Sequence, residues 1–264
     1  MVNPSSSMRL MLPYEVQSHL PLLVFVPGMD GTGNLYGKQA DQLRHHFDIR
    51  CLTIARDDRH DWESLSDQLI TLLQAEQYFS SRPVYLCGES FGGCLALKVA
   101  TKHPALIERL ILINPASCFN QRPLLSWGIG VSQWIPDFLH RSAALVLLPF
   151  MASLNRISAG DRLMLLKAMQ SVPPNTISWR LSLLKSFCLE SSCLAKITQP
   201  VLVVASQGDR LLPSLEEGKN LVEKLPNAQM QILSGSGHVC LLESDINLKH
   251  ILEAYDFLPF LQTC

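Results

Sequence analysis

Ser90 stands in Gly88-Glu89-Ser90-Phe91-Gly92, directly after the apolar run Val84-Tyr85-Leu86-Cys87 and directly before Gly93-Cys94-Leu95-Ala96. A serine with glycine two residues to either side, between a buried strand and a helix start, has the pattern of a nucleophile elbow. The turn is so sharp that a side chain at either glycine would meet the neighbouring strand or helix, and its strain lifts the hydroxyl clear of the sheet. A hydroxyl attacks poorly until a base takes its proton, and a histidine base needs a carboxylate to fix its tautomer. Behind an elbow the order along the chain is serine, acid, histidine. Asp209 follows the apolar run 201–204 through Ala205-Ser206-Gln207-Gly208, and His238 follows a candidate strand at 229–233 through Ser234-Gly235-Ser236-Gly237. The alternative seat for the acid, after the run 110–113, is Asn114, whose amide carries no charge. A plain turn aspartate ahead of a helix is the other reading of Asp209. Of the remaining histidines, His45, His46, His60, His103, His140 and His250 fall on helices or helix ends, and His19 lies in the N-terminal lead-in.

Attack on a carbonyl creates a negative oxygen that needs donors already in place. The N–H of Phe91, at a helix start, is one candidate. The N–H of Met29 is the second, in the loop Pro27-Gly28-Met29-Asp30-Gly31-Thr32-Gly33 after the first apolar run. Gly28 lets this backbone come close to a substrate. Asp30 would oppose a developing oxyanion, so it is expected to turn away and bond its own loop. Glu89 is expected to support the elbow from outside the reaction centre.

These residues need a scaffold that brings strand ends together. Runs at 22–26, 84–87, 110–113 and 201–204 lack polar alternation, as parallel strands buried on both faces do. Segments 49–54 and 229–233 extend the sheet to six or seven strands. Helical patterns at 36–46, 61–78, 91–102 and 214–224 alternate with them, the last opened by a capping box of Ser214 and Glu217. Alternating strand and helix implies an α/β fold with a doubly wound, mostly parallel sheet, whose ligands gather at the carboxyl ends of the strands.

Between 121 and 190 the alternation stops, and a helical insertion is expected within a single domain spanning 1–264. Trp127, Trp134 and Trp179 lie in it beside many leucines, more apolar surface than a small core uses, which suggests a lid whose tryptophans contact substrate. Its Arg122, Arg141, Arg156, Arg162, Lys167, Arg180 and Lys185 outnumber Asp137 and Asp161. Scattered solvent-facing charges are the plainer reading of that excess. Attraction to an acyl chain with an anionic group, or to an anionic membrane surface, is the sharper one.

A chain of 264 residues with 47% hydrophobic content suits one α/β domain with a large core. A net charge of −1 without basic runs argues against a nucleic-acid partner. The eight cysteines are scattered without zinc spacing, so no metal is expected and the compartment is read as reducing. The start of the chain has no long apolar core behind a basic end, and residues 143–152, interrupted by Pro149, are too short to span a bilayer. The expectation is a cytoplasmic protein, with peripheral membrane contact through the lid as an option.

The motifs PGMDGTG (27–33), PVYLCGESFGGCLAL (83–97), NPASCF (114–119), SQGDRLLP (206–213) and GHVCLLE (237–243) resemble the α/β-hydrolase superfamily. More narrowly, they resemble the hydrolase part of the plastid and cyanobacterial esterase/lipase/thioesterase family that includes the phytyl ester synthases. That resemblance implies the α/β-hydrolase fold and a triad of Ser90, Asp209 and His238 working without a cofactor. It also implies a lipophilic ester, thioester or acyl-carrier substrate, with hydrolysis or transfer of the acyl group to an alcohol. Dehalogenase and epoxide hydrolase chemistry would need a carboxylate at Ser90. A cofactor-free perhydrolase and a ligand receptor that keeps the triad are the alternatives.

Overall fold

The computed structural model describes residues 8–119 and 137–259, with side chains from 144 onward in the second segment. Seven strands form one sheet: β1 (Met8–Met11), β2 (Leu22–Val26), β3 (Asp48–Ile54), β4 (Val84–Glu89), β5 (Arg109–Ile113), β6 (Val201–Ser206) and β7 (Ala228–Leu233). Their spatial order is β1-β3-β2-β4-β5-β6-β7. Only β1 runs antiparallel, pairing Met8 with Ile54 and Met11 with Cys51. The four apolar runs are β2, β4, β5 and β6, and they occupy adjacent central places where both faces are covered. β1 escapes sequence patterning because it is a short edge strand in which Met8 alone is buried, too little alternation to register.

Helices cover both faces. α1 (Gly37–Leu43) follows a 3₁₀ turn at Asn34–Tyr36 and stops short of the expected 46. α2 (Trp62–Phe79) is capped by Asp61, whose carboxylate accepts the Ser64 N–H at 2.8 Å. α3 (Phe91–Lys102) packs against α2 and β4. Among the described residues, four helices lie between β5 and β6: α4 (Asp137–Met151), α5 (Ala159–Ser171), α6 (Pro174–Ser186) and α7 (Ser191–Leu194). α8 (Ser214–Lys224) and α9 (Leu248–Ala254) follow β6 and β7. One core joins Leu65 and Leu69 of α2, Leu95 and Val99 of α3, Leu183 and Leu184 of α6 and Leu221 of α8 to one sheet face. The opposite core joins Ala40 and Leu43 of α1 and Leu248 and Leu252 of α9 to the other face.

The chain leaves β2 toward β3 on one side of the sheet and reaches β4 on the other side of β2. The loops leaving β2 and β4 therefore diverge and open a crevice at the carboxyl edge, the place where doubly wound sheets hold ligands. Among the described residues no helix is long and apolar enough to cross a membrane. The described cysteines all carry free thiols, five of them buried.

Candidate active site

The reversal from β4 to α3 is concentrated in Ser90, whose backbone sits at φ 53° and ψ −115°. A side-chain-bearing residue with positive φ is strained and persists only where its surroundings over-determine it. Here the Ser90 N–H donates to the Ile113 carbonyl at 2.9 Å, and its own carbonyl accepts N–H groups of Gly93 and Ala116 at 3.0 and 3.2 Å. The flanking glycines are required by space. A Cβ on Gly92 would stand 2.1 Å from the Val26 carbonyl oxygen, and one on Gly88 would stand 2.5 Å from that of Gly92.

This turn aims the Ser90 hydroxyl at His238. Nε2 of His238 lies 2.9 Å from Ser90 Oγ, and its Nδ1 lies 2.7 Å from Asp209 Oδ2. Asp209 Oδ1 accepts the Leu211 and Leu212 N–H groups at 2.8 and 3.0 Å, and the Ser214 hydroxyl donates to Oδ2. The His238 and Asp209 side chains are buried. Burial pushes the Asp209 carboxyl up, but the His238 charge and the converging donors outweigh it and hold the group below its usual range. For His238 burial pulls down, while Asp209 first and Glu89 after it push up, leaving the imidazole above its ordinary value.

The capping box expected at Ser214 is not formed. Pro213 occupies the cap position, the Ser214 hydroxyl is given to Asp209, and the Glu217 carboxylate accepts from Ser117. A segment that spells a helix signal therefore supports the acid. Asn114, set aside as an acid, has a structural role at the end of β5. Its Nδ2 donates to the His238 carbonyl at 2.7 Å and to Ser206 Oγ at 2.9 Å, and its Oδ1 accepts the Ser206 N–H at 2.8 Å. It ties the histidine loop to β6. From the other side the buried Glu243 accepts the Gly237 N–H at 2.7 Å and pairs with Arg156, whose Nε is 3.0 Å away.

The β2 loop runs beside the nucleophile, since a Cβ on Gly28 would lie 3.7 Å from the Ser90 Cβ. Among the described residues neither the Met29 nor the Phe91 N–H has a hydrogen-bond acceptor. Asp30 turns onto its own loop, accepting the Thr32 N–H at 3.0 Å and the Thr32 hydroxyl. Glu89 shares the β4 face of Tyr85 and Cys87, and burial pushes its carboxyl up to about 7.

Two of the basic residues expected to be scattered in solvent are engaged, Arg156 while partly exposed and Arg180 in the interior. Arg156 reaches Glu243 and Asp245, acids from outside the 121–190 segment. Arg180 is only 2% exposed, and its guanidinium donates to the Met29 carbonyl at 2.6 Å and the Ala55 carbonyl at 3.1 Å. A signal for this was present: Arg180 falls in the buried stripe of α6 with Thr176, Leu183 and Leu184. The neighbouring Trp179 is half-buried and donates its indole N–H to the His60 carbonyl at 3.0 Å. Trp127 and Trp134 lie outside the described residues. Among the described residues no grouping of three or more His, Cys, Asp or Glu side chains could hold a metal ion.

A family model described as the alpha/beta hydrolase family matches residues 23–245, which include the β2 loop, the elbow, Asp209 and His238. The chain belongs to the alpha/beta hydrolase family. The chain is 34% identical over 257 residues to phytyl ester synthase 1, chloroplastic, of Arabidopsis thaliana, a match covering 88% of the chain and 36% of that protein. It thus spans about a third of the length of that relative. Pimeloyl-[acyl-carrier protein] methyl ester esterase of Aromatoleum aromaticum is 31% identical over 181 residues, covering 64% of this chain and 72% of the esterase. In fold, the chain is similar to the enol-lactonase of Burkholderia xenovorans, with a TM-score of 0.77 at 18% identity and 95% of each chain covered.

Proposed function

We propose that this hydrolase cleaves lipophilic carboxylic esters or thioesters through an acyl-enzyme on Ser90, with an alcohol able to replace water as acceptor. The observation that carries the reading is the unbroken hydrogen-bond chain from Ser90 through His238 to the buried Asp209. In the first half-reaction His238 Nε2 takes the Ser90 proton as Oγ bonds to the acyl carbon. The N–H groups of Phe91 and Met29 then receive the oxyanion, which in a water-poor site is commonly the largest single stabilisation. Collapse expels the alcohol or thiol with the proton from His238, and Asp209 stabilises the imidazolium in between. In the second half-reaction water or an alcohol attacks the acyl carbon, giving up its proton to the same nitrogen, and collapse breaks the bond to Ser90 Oγ, which takes that proton back from His238 as the acid or new ester leaves.

The lipophilic side of the proposal draws on two supports. Relatives of this chain are named as a phytyl ester synthase and a methyl ester esterase. The helices between β5 and β6 also leave Leu145, Val146, Leu147, Phe150 and Leu163 exposed, an apolar surface suited to a lid over such substrates. In this reading the helices α4 to α6 belong to that lid.

The test is hydrolysis of p-nitrophenyl esters of increasing acyl length by wild type and Ser90→Ala, with a long-chain alcohol added in parallel. Turnover that rises with chain length and disappears in Ser90→Ala is expected, and a new ester in the alcohol arm would establish transfer. A folded wild type that holds the ester without turnover would contradict the proposal in favour of a receptor.

A further inference from the structure

Arg180 belongs to neither half of the triad, yet it contacts both sides of the proposed oxyanion hole. It enters from α6, between β5 and β6, and is among the largest fully buried side chains of the described residues. Its Nη1 donates to the Met29 carbonyl at 2.6 Å, its Nη2 donates to the Ala55 carbonyl after β3 at 3.1 Å, and its Cζ lies 6.0 Å from the ring centroid of Phe91. The Gly28 carbonyl accepts the Gly31 N–H at 3.0 Å, which makes Gly28 to Gly31 a four-residue turn with Met29 and Asp30 at its centre. The central peptide of such a turn has two orientations related by a flip, the difference between the type I and type II turns. A flip would redirect the Met29 carbonyl and the Asp30 N–H; the Met29 N–H belongs to the preceding peptide, so a tether on the Met29 carbonyl acts on it by fixing where the whole turn, and Met29 within it, sits beside the elbow.

We propose that Arg180 is a positioning residue that pins the Gly28–Gly31 turn through the Met29 carbonyl and so makes the oxyanion hole depend on the seating of α6. The inference rests on the Ser90 acyl-enzyme reading. A guanidinium is suited to this role because its rigid planar fork holds two carbonyls from different loops in fixed directions, whereas the donors of an ammonium rotate on a flexible stem. The space around it is tight on the same side, since a Cβ on Gly31 would come within 3.0 Å of Nη1. Asp30 and Asp58 balance part of the buried charge, with Asp30 held in place by Thr32. Withdrawal of α6 would remove the grip on Met29 while leaving the Ser90–His238–Asp209 chain intact, because no bond of that chain passes through α6. The segment between β5 and β6 would then control the site by assembling it as well as by covering it.

The experiment compares wild type, Arg180→Gln, Arg180→Lys and Arg180→Ala on a p-nitrophenyl ester. Loss of one oxyanion donor lowers kcat by roughly 10²–10³-fold. Arg180→Gln is expected to lose up to that amount in kcat with KM changed less than about threefold, and Arg180→Lys to fall between it and wild type. Millimolar guanidinium is expected to restore part of the Arg180→Ala kcat and to leave wild type unchanged, which a general loss of packing would not produce. A wild-type kcat in folded Arg180→Gln would overturn the inference, as would a kcat loss in step with unfolding and without rescue. Should the variants not fold, hydrogen exchange on wild type decides. A phosphonate ester on Ser90, which mimics the oxyanion, is expected to slow exchange both at residues 29–31 and in α6 around Arg180. Slowing at the loop alone would overturn the inference. If wild type neither turns over ester nor takes phosphonate at Ser90, it is the acyl-enzyme reading that fails, and the exchange experiment has no oxyanion to report.

Discussion

Asp209→Asn separates the electrostatic role of the acid from its structural one. The carboxylate divides its work between two oxygens: Oδ1 receives the Leu211 and Leu212 N–H groups, and Oδ2 receives His238 Nδ1 and the Ser214 hydroxyl. An asparagine that keeps its oxygen on the two backbone donors presents its amide nitrogen, a donor, to His238. The imidazole must then accept at Nδ1, which puts its proton on Nε2, 2.9 Å from Ser90 Oγ, where a base is required. The nucleophile loses its proton acceptor while the loop keeps its turn. A wrong-tautomer histidine of this kind costs about 10⁴ in kcat, equivalent to about 5 kcal/mol of barrier. Steady-state hydrolysis of a p-nitrophenyl ester at neutral pH measures it, with circular dichroism to confirm the fold. A folded Asp209→Asn enzyme within about tenfold of wild type would refute the assignment of the acid.

Further outcomes follow from the same geometry. Because His238 titrates above its ordinary 6.5, the acid limb of kcat/KM should lie above that pH, and Glu89→Gln, which removes a nearby negative charge, should move the limb down; an unmoved limb would contradict the coupling. The Glu89 carboxyl, raised from its ordinary 4.5 to about 7, stabilises the fold fully below 4.5 and loses that contribution as pH rises through 7. Urea titrations should therefore show wild type losing on the order of 3 kcal/mol across that window relative to Glu89→Gln. Gly92→Ala would force a Cβ to within 2.1 Å of the Val26 carbonyl oxygen and should cost at least about 3 kcal/mol, read as a collapsed melting temperature. Asn114→Ala would leave the buried Ser206 N–H and His238 carbonyl unpaired at about 1–3 kcal/mol each, seen as a lower urea midpoint with kcat reduced more than KM; an unchanged midpoint would count against the tie between the histidine loop and β6.

Much of the sheet was legible because its central strands are buried on both faces and so read as unbroken apolar runs bounded by turn residues. The approach of Ser90, Asp209 and His238 was legible for a topological reason: parallel strands deliver their loops to one edge, so three loops far apart in sequence were expected together. What escaped the sequence was decided by tertiary context. Ser214 with Glu217 spelled a helix cap, yet the helix begins at Ser214 itself with Pro213 in the cap position, and the hydroxyl donates to the carboxylate five residues earlier. Arg180 was counted among surface charges because a buried arginine is rare, and only the α6 stripe in which it sits pointed inward. Asn114 revealed what it could not be, an acid, whereas its grip on the histidine loop depends on three strand ends that meet only in the folded sheet.

The central claim is a covalent acyl-enzyme on Ser90, and intact-protein mass spectrometry with peptide mapping after rapid acid quench of wild type turning over a long-chain p-nitrophenyl ester tests it most directly. The account predicts one acyl group on the peptide containing Ser90, present during turnover and absent in Ser90→Ala together with the activity. Turnover that persists undiminished in Ser90→Ala, without an adduct in wild type, would contradict it.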